Sequence, residues 1–453
     1  MTSPDGKRKA VHAGMGLFAL TLRFLDGRGA AFLALSALLF NLFAMPRIGR
    51  GIYRDRSGAR DAGIVSYAAV VLLLVLLFRR HLEIAAAVWA MLAIGDPAAA
   101  IAGRAFPGRG LPWNRRKSWS GVLANFAGGG IAALFAFRFV AGALPMGAAG
   151  AIVAGAAAFA FAESLSTGVE DNLVAPVAGA LVLWGLLAVG PGAWADLAGS
   201  RDFLRAVVVA LGVNLAVALL LGGLGVVSRS GVVAGFVFGT LILALGGWRP
   251  YAILWAFFLL GTAATRLGYR AKAARGVAQA DGGRRGARHV AANCGVAAAI
   301  LAVAAPRMPS VPDAVLAAVT ASFAAALADT LGTEVGSLLG RRPVSLVSFA
   351  RVPAGTPGAV SWPGTIAGAA GAAALAAIAW GVGMIPAGLI VVVIAAGVAG
   401  SLGESLLAGI GARRGFRLDH EFANALNTFI GAAAAAEITL SLAKGALYLP
   451  FET

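Results

Sequence analysis

The stretch AIGDPAAAIAGRAFPGRGLPWNRRKSWSG, residues 93–121, places the carboxylate of Asp96 inside an apolar run. Small residues follow Asp96, and a loop rich in cations comes next. A carboxylate near the edge of a bilayer costs free energy unless a cation or a metal accompanies it. The pattern therefore predicts a polar site at the end of a membrane-spanning segment. The cations of the loop are Arg104, Arg109, Arg115, Arg116 and Lys117.

The composition excludes an ordinary soluble enzyme. Of the 453 residues, 59% are hydrophobic and 13% are charged, and the mean hydropathy is +0.84. Such values are typical of an all-α, polytopic integral membrane protein. The single cysteine, Cys294, excludes an intramolecular disulfide framework and a multi-cysteine zinc site. The four histidines, at positions 12, 81, 289 and 420, show no metal-ligand spacing.

Apolar runs of membrane-spanning length recur along the chain and predict about fifteen spans. The first run is short and polar at both ends, which is also typical of a re-entrant or interfacial segment. The predicted spans lie near residues 11–25, 30–45, 62–78, 82–103, 119–139, 148–165, 174–190, 205–224, 231–246, 251–266, 289–305, 313–337, 362–380, 386–409 and 422–446.

The distribution of cations predicts the orientation of these spans. With the N-terminus inside, most Lys and Arg residues fall in inner loops, and Arg79–Arg80 is the exception. Because Lys and Arg accumulate on the cytoplasmic side, topology explains the formal net charge of +17, and no nucleic-acid partner is expected. The basic residues 7–9 precede an apolar stretch without a convincing cleavage site, so we interpret that stretch as an uncleaved first span. The chain is predicted to be integral to the cell (inner) membrane, with active sites facing the cytoplasm.

The chain is predicted to consist of two modules. PGAWADLAGSRDF, residues 191–203, is the least apolar stretch between two spans in the middle of the sequence. It separates a first module at 1–195 from a second module at 204–453.

The second module repeats the pattern of the first. Asp329, a glycine, a basic loop and SWPG correspond to Asp96, a glycine, a basic loop and SWSG. Beyond each pattern an apolar region ends in ESL, which begins at Glu163 and at Glu404. The order indicates either a duplication or two related catalytic modules.

Carboxylates beside cations suit Mg²⁺ and a polyphosphate, because carboxylates hold the metal while Lys and Arg neutralise phosphate oxygens. In the predicted topology the acids lie at the cytoplasmic ends of their spans, and the chain has no P-loop motif. We therefore predict catalytic or metal-binding roles for Asp96, Glu163, Asp329, Glu334 and Glu404. Glycines let backbone N–H groups approach phosphates closely. Those near the basic loops are Gly103, Gly121, Gly355, Gly358 and Gly364.

Residues 7–180 resemble the CTP-dependent polyprenol kinase family, which includes phytol and dolichol kinases. The matching motifs are RKAVH at 8–12, GDPAAAIAGR at 95–104, KSWSG at 117–121, Glu163, and DNLVAP at 171–176. Ser120 is a departure, because the family commonly has a glutamate there. The resemblance implies Asp171 as a further metal ligand. It implies a nucleotide or phosphate site at Arg8, Lys9, His12, Gly103, Arg104, Lys117, Ser118 and Gly121.

Residues 204–446 resemble the phytyl-phosphate kinase family of membrane proteins. The matching motifs are SRSGVVAGFVFGT at 228–240, the basic segment 261–295, ADTLGTEVG at 328–336, GTPGAVSWPG at 355–364 and NALNTFIGA at 424–432. Glu404 stands where the family more often has aspartate, and it retains the carboxylate. The candidate phosphate ligands of this half are Lys272, Arg275, Arg284, Arg285, Gly355, Gly358, Ser361 and Gly364.

Together the two resemblances imply a bifunctional membrane enzyme that uses Mg²⁺ and CTP, or another nucleoside triphosphate, as phosphate donor. One half would phosphorylate an isoprenoid alcohol such as phytol within the lipid bilayer. The other would convert the monophosphate to the diphosphate used in prenyl-quinone or tocopherol-like synthesis. Two other interpretations stay open: a membrane cytidylyltransferase acting on CTP and a lipid phosphate, and a secondary transporter with two repeats.

Overall fold

The computed structural model describes residues 13–45, 62–106, 110–111, 114–115, 117–165, 171–225, 227–276, 279, 283–308, 310–340, 342–413 and 420–448. This part of the chain is almost entirely helical and contains many apolar helices of membrane-spanning length. The predicted fold class, an all-α polytopic membrane protein, is confirmed. The chain divides into two compact units, Met1–Trp194 and Ala195–Thr453.

The first unit begins with a 3-10 helix at Gly16–Phe24, and its α-helices are α1 (Gly27–Phe43), α2 (Ala62–Leu77), α3 (Leu82–Ala105), α4 (Trp119–Ala141), α5 (Ala148–Leu165), α6 (Asp171–Val189) and α7 (Pro191–Gly199), which contains the boundary. Helix α3 is the most buried span of this unit, and it packs against α4 and α6. It contains a π-helical segment at Met91–Gly95, directly before Asp96. Such segments inside α-helices occur frequently at functional sites.

The second unit has its own central helix. Its α-helices are α8 (Arg201–Leu224), α9 (Arg229–Gly246), α10 (Trp248–Arg266), α11 (Tyr269–Ala274), α12 (Ala287–Ala304), α13 (Asp313–Leu339), α14 (Trp362–Gly381), α15 (Ile390–Arg413) and α16 (His420–Tyr448). Helix α13 packs against α10, α12, α14, α15 and α16. Ala317, Ala321, Ala324 and Ala328 recur along it every three or four residues and are buried. Small residues at this spacing allow neighbouring helices to approach closely.

A short hairpin connects α13 to α14. Strands β1 (Val344–Ser345) and β2 (Ala359–Val360) pair in antiparallel register, with Val344 opposite Val360. Gly355 and Gly358 lie in the loop between them and have positive φ angles of 85° and 74°. The hairpin carries the second basic loop back to the N-terminus of α14.

A helix stands at the place of every predicted span, but fewer helices than about fifteen are long and apolar enough to cross a bilayer. Within the described residues there are nine such helices, or ten if α6 and the following segment, bent by 92°, form one span. Four further apolar helices, at Ala13–Phe24, Gly27–Phe43, Val65–Leu77 and Ala148–Ser164, are shorter than 18 residues. The count of about fifteen spans therefore stays a prediction.

Candidate active sites

In the first unit, a serine and two glycines fix the start of α4 against α3. The Ser118 Oγ atom accepts a hydrogen bond from the Gly121 amide at 3.2 Å, which caps the N-terminus of α4. A Cβ atom on Gly103 would lie 3.1 Å from that Oγ atom, and one on Gly121 would lie 3.2 Å from the Ala99 carbonyl oxygen. We call Gly103, Ser118 and Gly121 the first glycine–serine frame. It brings the positive end of the α4 dipole against α3, where an anion is stabilised.

The second unit contains the same arrangement between α13 and α14. The Ser361 Oγ atom accepts a hydrogen bond from the Gly364 amide at 3.3 Å and caps α14. A Cβ atom on Gly336 would lie 3.0 Å from Ser361 Oγ, and one on Gly364 would lie 2.5 Å from the Gly332 carbonyl oxygen. Gly336, Ser361 and Gly364 form the second glycine–serine frame.

Both frames have the same register relative to an aspartate. Asp96 precedes Gly103 by the same number of residues as Asp329 precedes Gly336. Each aspartate therefore lies about two helical turns before the point where its helix meets a serine-capped helix N-terminus. The pattern that repeats in the sequence thus corresponds to a contact that repeats in the two units.

The two aspartates lie in the second half of their helices. Asp96 and Asp329 each precede the last residue of α3 or α13 by about ten positions, or about 15 Å. The helices end two residues beyond the predicted spans at 82–103 and 313–337. Each helix continues past its aspartate to reach the glycine–serine frame.

The carboxylate of Glu163 is held by two side chains in the first unit. Its Oε1 atom accepts a hydrogen bond from Lys117 Nζ at 3.1 Å, and its Oε2 atom accepts one from Asn125 Nδ2. Glu163 is only 8% exposed, so its charge is balanced by a cation inside the unit. A Cβ atom on Gly95 would lie 2.9 Å from Asn125 Oδ1. Asn125 therefore links Glu163 to the helical segment that carries Asp96.

Other residues of the first basic loop make local contacts. The Arg104 Nε atom donates a hydrogen bond to the Ala100 carbonyl oxygen of its own helix at 3.0 Å. Ser120, the departure from the polyprenol kinase pattern, donates from Oγ to the Phe106 carbonyl oxygen at 2.9 Å. The hydroxyl of Ser120 therefore ties the end of α3 to the start of α4.

Lys272 and Glu334 form a buried ion pair in the second unit. The Lys272 Nζ atom donates to Glu334 Oε2, to the Thr265 carbonyl oxygen at 2.9 Å and to the Ala264 carbonyl oxygen at 3.3 Å. An ammonium group has three donors, so none is left for a ligand. The prediction of Lys272 as a phosphate ligand is therefore wrong.

Glu334, a predicted metal ligand, lies five residues after Asp329, and a shared Mg²⁺ site would need both carboxylates on one side of the helix. Both residues belong to the continuous helix α13. Positions five apart on an α-helix point about 140° away from each other. Glu334 faces Lys272 instead, so such a shared site does not form.

Asp329 has a different set of neighbours. The carboxylate of Glu404, on α15, lies within electrostatic range of Asp329, which in turn lies within range of His420 at the start of α16. The His420 ring centroid is 6.2 Å from that of His289 on α12. Four helices thus bring two acids and two histidines to one region. Sequence spacing did not reveal that His289 and His420 are neighbours. They are far apart in the chain, and only the packing of α12 against α16 brings them together.

Arg285 is buried before the start of α12, and it is 8% exposed. Its guanidinium carbon lies 5.2 Å from the centroid of the Phe257 ring. Its Nη2 atom is buried, and no hydrogen-bond partner for it exists among the described residues. Burial lowers the pKa of the Arg285 guanidinium, and the nearby Glu334 carboxylate opposes that shift.

Three other predicted phosphate ligands of the second unit lie at three different places. Arg275 caps the end of α13, because its Nη1 atom donates to the Leu338 carbonyl oxygen at 2.9 Å. Arg284 lines a polar cavity together with Arg285. Gly358 packs on α15, and a Cβ atom there would lie 2.6 Å from the Gly409 backbone. The hairpin loop is therefore fixed close to the turn of α15 that follows Glu404.

Some predicted residues lie outside the described part of the chain. They are Arg8, Lys9 and His12, two loop cations, Arg109 and Arg116, and the side chain of Asp171, whose backbone begins α6.

Among the described residues, no group of three or more His, Cys, Asp or Glu side chains is arranged to hold a metal ion. Mg²⁺, however, usually takes one or two carboxylates and completes its shell with phosphates and water. Asp329 with Glu404 fits that donor set, and so does Asp96 alone. Glu163 and Glu334 fit it less well, because each is already paired with a lysine.

Comparison with known proteins places this chain among membrane proteins. Residues 212–421 match the family of integral membrane proteins DUF92. An uncharacterized membrane protein of Synechocystis sp. is 39% identical over 202 residues, which cover 44% of this chain and 78% of that protein.

Two plant proteins are also similar. Protein VTE6, chloroplastic, of Arabidopsis thaliana is 33% identical over 48% of this chain and 66% of its own length. Probable phytol kinase 3, chloroplastic, of Glycine max is 28% identical over 39% of this chain and 61% of its own length. No solved structure matches the chain.

Proposed function

The chain belongs to the integral membrane protein family DUF92, and we propose that it is a membrane-bound isoprenoid kinase with two active sites. The first unit phosphorylates a prenyl alcohol such as phytol, and the second unit phosphorylates the resulting monophosphate. A nucleoside triphosphate, with CTP as the first candidate, is the donor at both sites.

The observation that carries this proposal is the repeated glycine–serine frame beside an aspartate. In each unit a serine-capped helix N-terminus approaches the helix that carries Asp96 or Asp329. Phosphoryl transfer needs mainly positioning and neutralisation of phosphate charge. A helix N-terminus and a nearby carboxylate supply the two elements that a phosphate group and its metal require. Similarity to a probable phytol kinase of Glycine max supports a prenyl alcohol as acceptor.

The first site suits a neutral acceptor. The hydroxyl oxygen of the alcohol attacks the terminal phosphorus of the donor, the bond to the bridging oxygen breaks, and the nucleoside diphosphate leaves. The hydroxyl proton must be removed, and Asp96 is our candidate for the carboxylate that accepts it. Glu163 is held by Lys117 and Asn125, so it orients these side chains instead of acting as the base.

The second site suits an acceptor that is already charged. A phosphate monoester is a nucleophile near neutral pH, so no protein base is required. The buried cation Arg285 lies within electrostatic range of Glu334, on the helix that carries Asp329. Fusion of the two units in one chain keeps the intermediate at a high effective concentration.

Mg²⁺ is proposed as the cofactor of both sites. Asp96 would hold it in the first unit, and Asp329 with Glu404 would hold it in the second. The ion would neutralise charge on the donor phosphates. We also propose that the protein lies in the cell membrane, with both sites facing the cytoplasm and the N-terminus inside.

A product analysis tests this function. Purified protein in lipid nanodiscs would receive Mg²⁺, CTP or ATP, and a panel of prenyl alcohols and monophosphates, with products identified by mass spectrometry. We expect phosphorylated lipid and nucleoside diphosphate in equal amounts. Pyrophosphate together with a nucleotide-linked lipid would assign a cytidylyltransferase. Substrate uptake into proteoliposomes without turnover would assign a transporter, and either result would contradict a kinase.

A further inference from the structure

A cavity in the second unit has an apolar part and a polar part. The apolar part, of about 90 Å³, is lined mostly by aliphatic and aromatic side chains of α8, α9 and α10. The polar part, of about 180 Å³, is lined by residues that include Thr262, Thr265 and Arg284. Val227, Phe258 and Arg285 line both parts. The two parts therefore adjoin at these three residues.

Arg285 lacks a partner at this junction. Its Nη2 atom is buried, and the structure offers no hydrogen-bond acceptor for it within the described residues. A buried charged donor without an acceptor is costly, and an arginine fork matches phosphate oxygens geometrically. The N-terminus of α9, capped by Ser228, contacts the Arg285 backbone, because Ser228 Oγ donates to its carbonyl oxygen at 3.2 Å. Both features favour an anion in the polar part.

The apolar part follows a row of glycines. Gly231, Gly235 and Gly239 line it at every fourth position of α9, which places them on one face over about 12 Å. A Cβ atom on Gly235 would meet no atom within 4 Å. Cβ atoms on Gly231 and Gly239 would clash with the Arg285 carbonyl oxygen and with Asn214 Oδ1, so the open part of the wall lies at Gly235. Trp255 and Phe258 form part of the cavity's other wall.

We propose that this cavity is the acceptor site of the second unit, with the phosphate of an isoprenoid monophosphate on Arg285 and its chain in the apolar part, beside Gly235. The inference rests on the proposed kinase function and assigns Arg285 to the acceptor rather than to the nucleotide. A nucleotide would place a polar ribose and base where the lining is apolar. A small apolar cavity of about 90 Å³ fits one isoprenoid chain better than the two chains of a bilayer phospholipid.

Photo-crosslinking without nucleotide tests the phosphate contact. The probes are a diazirine derivative of phytyl monophosphate and the matching derivative of phytol. Arg285→Gln should lower labelling by the monophosphate about tenfold, the effect of one lost charge-assisted hydrogen bond, and leave labelling by the alcohol unchanged. Arg249→Gln is the matched control, because Arg249 lies at the other end of α10 and does not line the cavity. The thermal midpoint of each variant reports its folding.

A second pair of variants tests whether the isoprenoid chain occupies the apolar part of the cavity. Gly235→Leu should raise the KM for phytyl monophosphate about tenfold, because it blocks burial of about two methylene groups, and should affect the shorter geranyl monophosphate less. Gly212→Leu on α8 is the control, since its Cβ position is equally open and lies outside the cavity lining.

Three results would overturn the proposal. They are unchanged labelling in Arg285→Gln, crosslinked peptides that lie outside α8–α12, and equal competition by phosphatidic acid and unlabelled phytyl monophosphate. If no nucleotide supports phosphoryl transfer but the probe still labels the cavity in an Arg285-dependent way, the lipid site stands and the kinase function fails. If transfer occurs and neither pair of variants differs from its control, the kinase stands and this site fails.

Discussion

Lys272 donates a hydrogen bond to Glu334 at a point where the lysine side chain is fully buried and the glutamate is 3% exposed. The first unit also pairs a glutamate, Glu163, with a lysine, but its Lys117 is 27% exposed and comes from the loop before α4. Each unit therefore pairs one glutamate with a lysine. The lysine comes from the loop before α4 in the first unit and from α11 in the second. Within the described residues, no Lys or Arg forms an ion pair with Asp96, Asp329 or Glu404, which leaves these acids available for a metal or a substrate.

The buried pair should be required for folding of the second unit. Lys272→Met leaves the Glu334 carboxylate buried without its cation, and removing one partner of such a pair costs about 3–5 kcal/mol. We expect a clear fall in the thermal midpoint of the protein in detergent. The double variant Lys272→Met/Glu334→Leu should recover most of that loss, because no uncompensated charge is left.

The double variant also separates structure from catalysis. If Lys272 acted on phosphate, restored stability would come without restored activity. We expect both to return together. A stable double variant without monophosphate kinase activity would show that Lys272 or Glu334 contacts the substrate.

The second glycine–serine frame should not tolerate a methyl group. Gly364→Ala places a Cβ atom 2.5 Å from the Gly332 carbonyl oxygen, so α14 must move away from α13. Gly381→Ala in the same helix meets no atom within 4 Å and is the matched control. We expect Gly364→Ala to lower stability by about 1–3 kcal/mol and to reduce only the monophosphate kinase step, as measured by thermal unfolding and product analysis. Equal behaviour of the two variants would show that the contact between the helices is not needed.

The basic loops should face the cytoplasm. Single cysteines at Phe106, Ala273 and Ala350, all exposed positions, would be introduced into a Cys294→Ser background. A membrane-impermeant maleimide should label none of them in intact cells and all of them in inverted vesicles. Labelling of any one from the outside would contradict the predicted orientation.

The sequence predicted the repeated order of aspartate, glycine and serine, but it did not predict how the helices pack around it. Asp96, Asp329 and the serine-capped glycines were visible as ordered motifs, because their spacing reflects one helix crossing another. The sequence did not predict that Lys272 pairs with Glu334, since those residues are far apart in the chain and the contact depends on how α11 packs on α13. Asn125 was missed for a similar reason: a single asparagine inside an apolar helix carries no spacing signal. The number of spans stays a prediction, because apolar helices such as Gly27–Phe43 lie at the lower limit of the length that crosses a bilayer.

The most direct test of two separate sites is a comparison of Asp96→Asn and Asp329→Asn with the wild type. The purified proteins would receive prenyl alcohol or prenyl monophosphate, and mass spectrometry would quantify monophosphate and diphosphate over time. Asp202→Asn, at a highly exposed position, serves as the control. Asn keeps the size of Asp and removes its charge, so folding should change little.

We expect Asp96→Asn to abolish phosphorylation of the alcohol and to convert added monophosphate to diphosphate at the wild-type rate. Asp329→Asn should produce monophosphate from the alcohol and accumulate it without forming diphosphate. If the folded Asp329→Asn protein still makes diphosphate at the wild-type rate, or if both variants lose both steps equally, the assignment of one phosphorylation to each unit is contradicted.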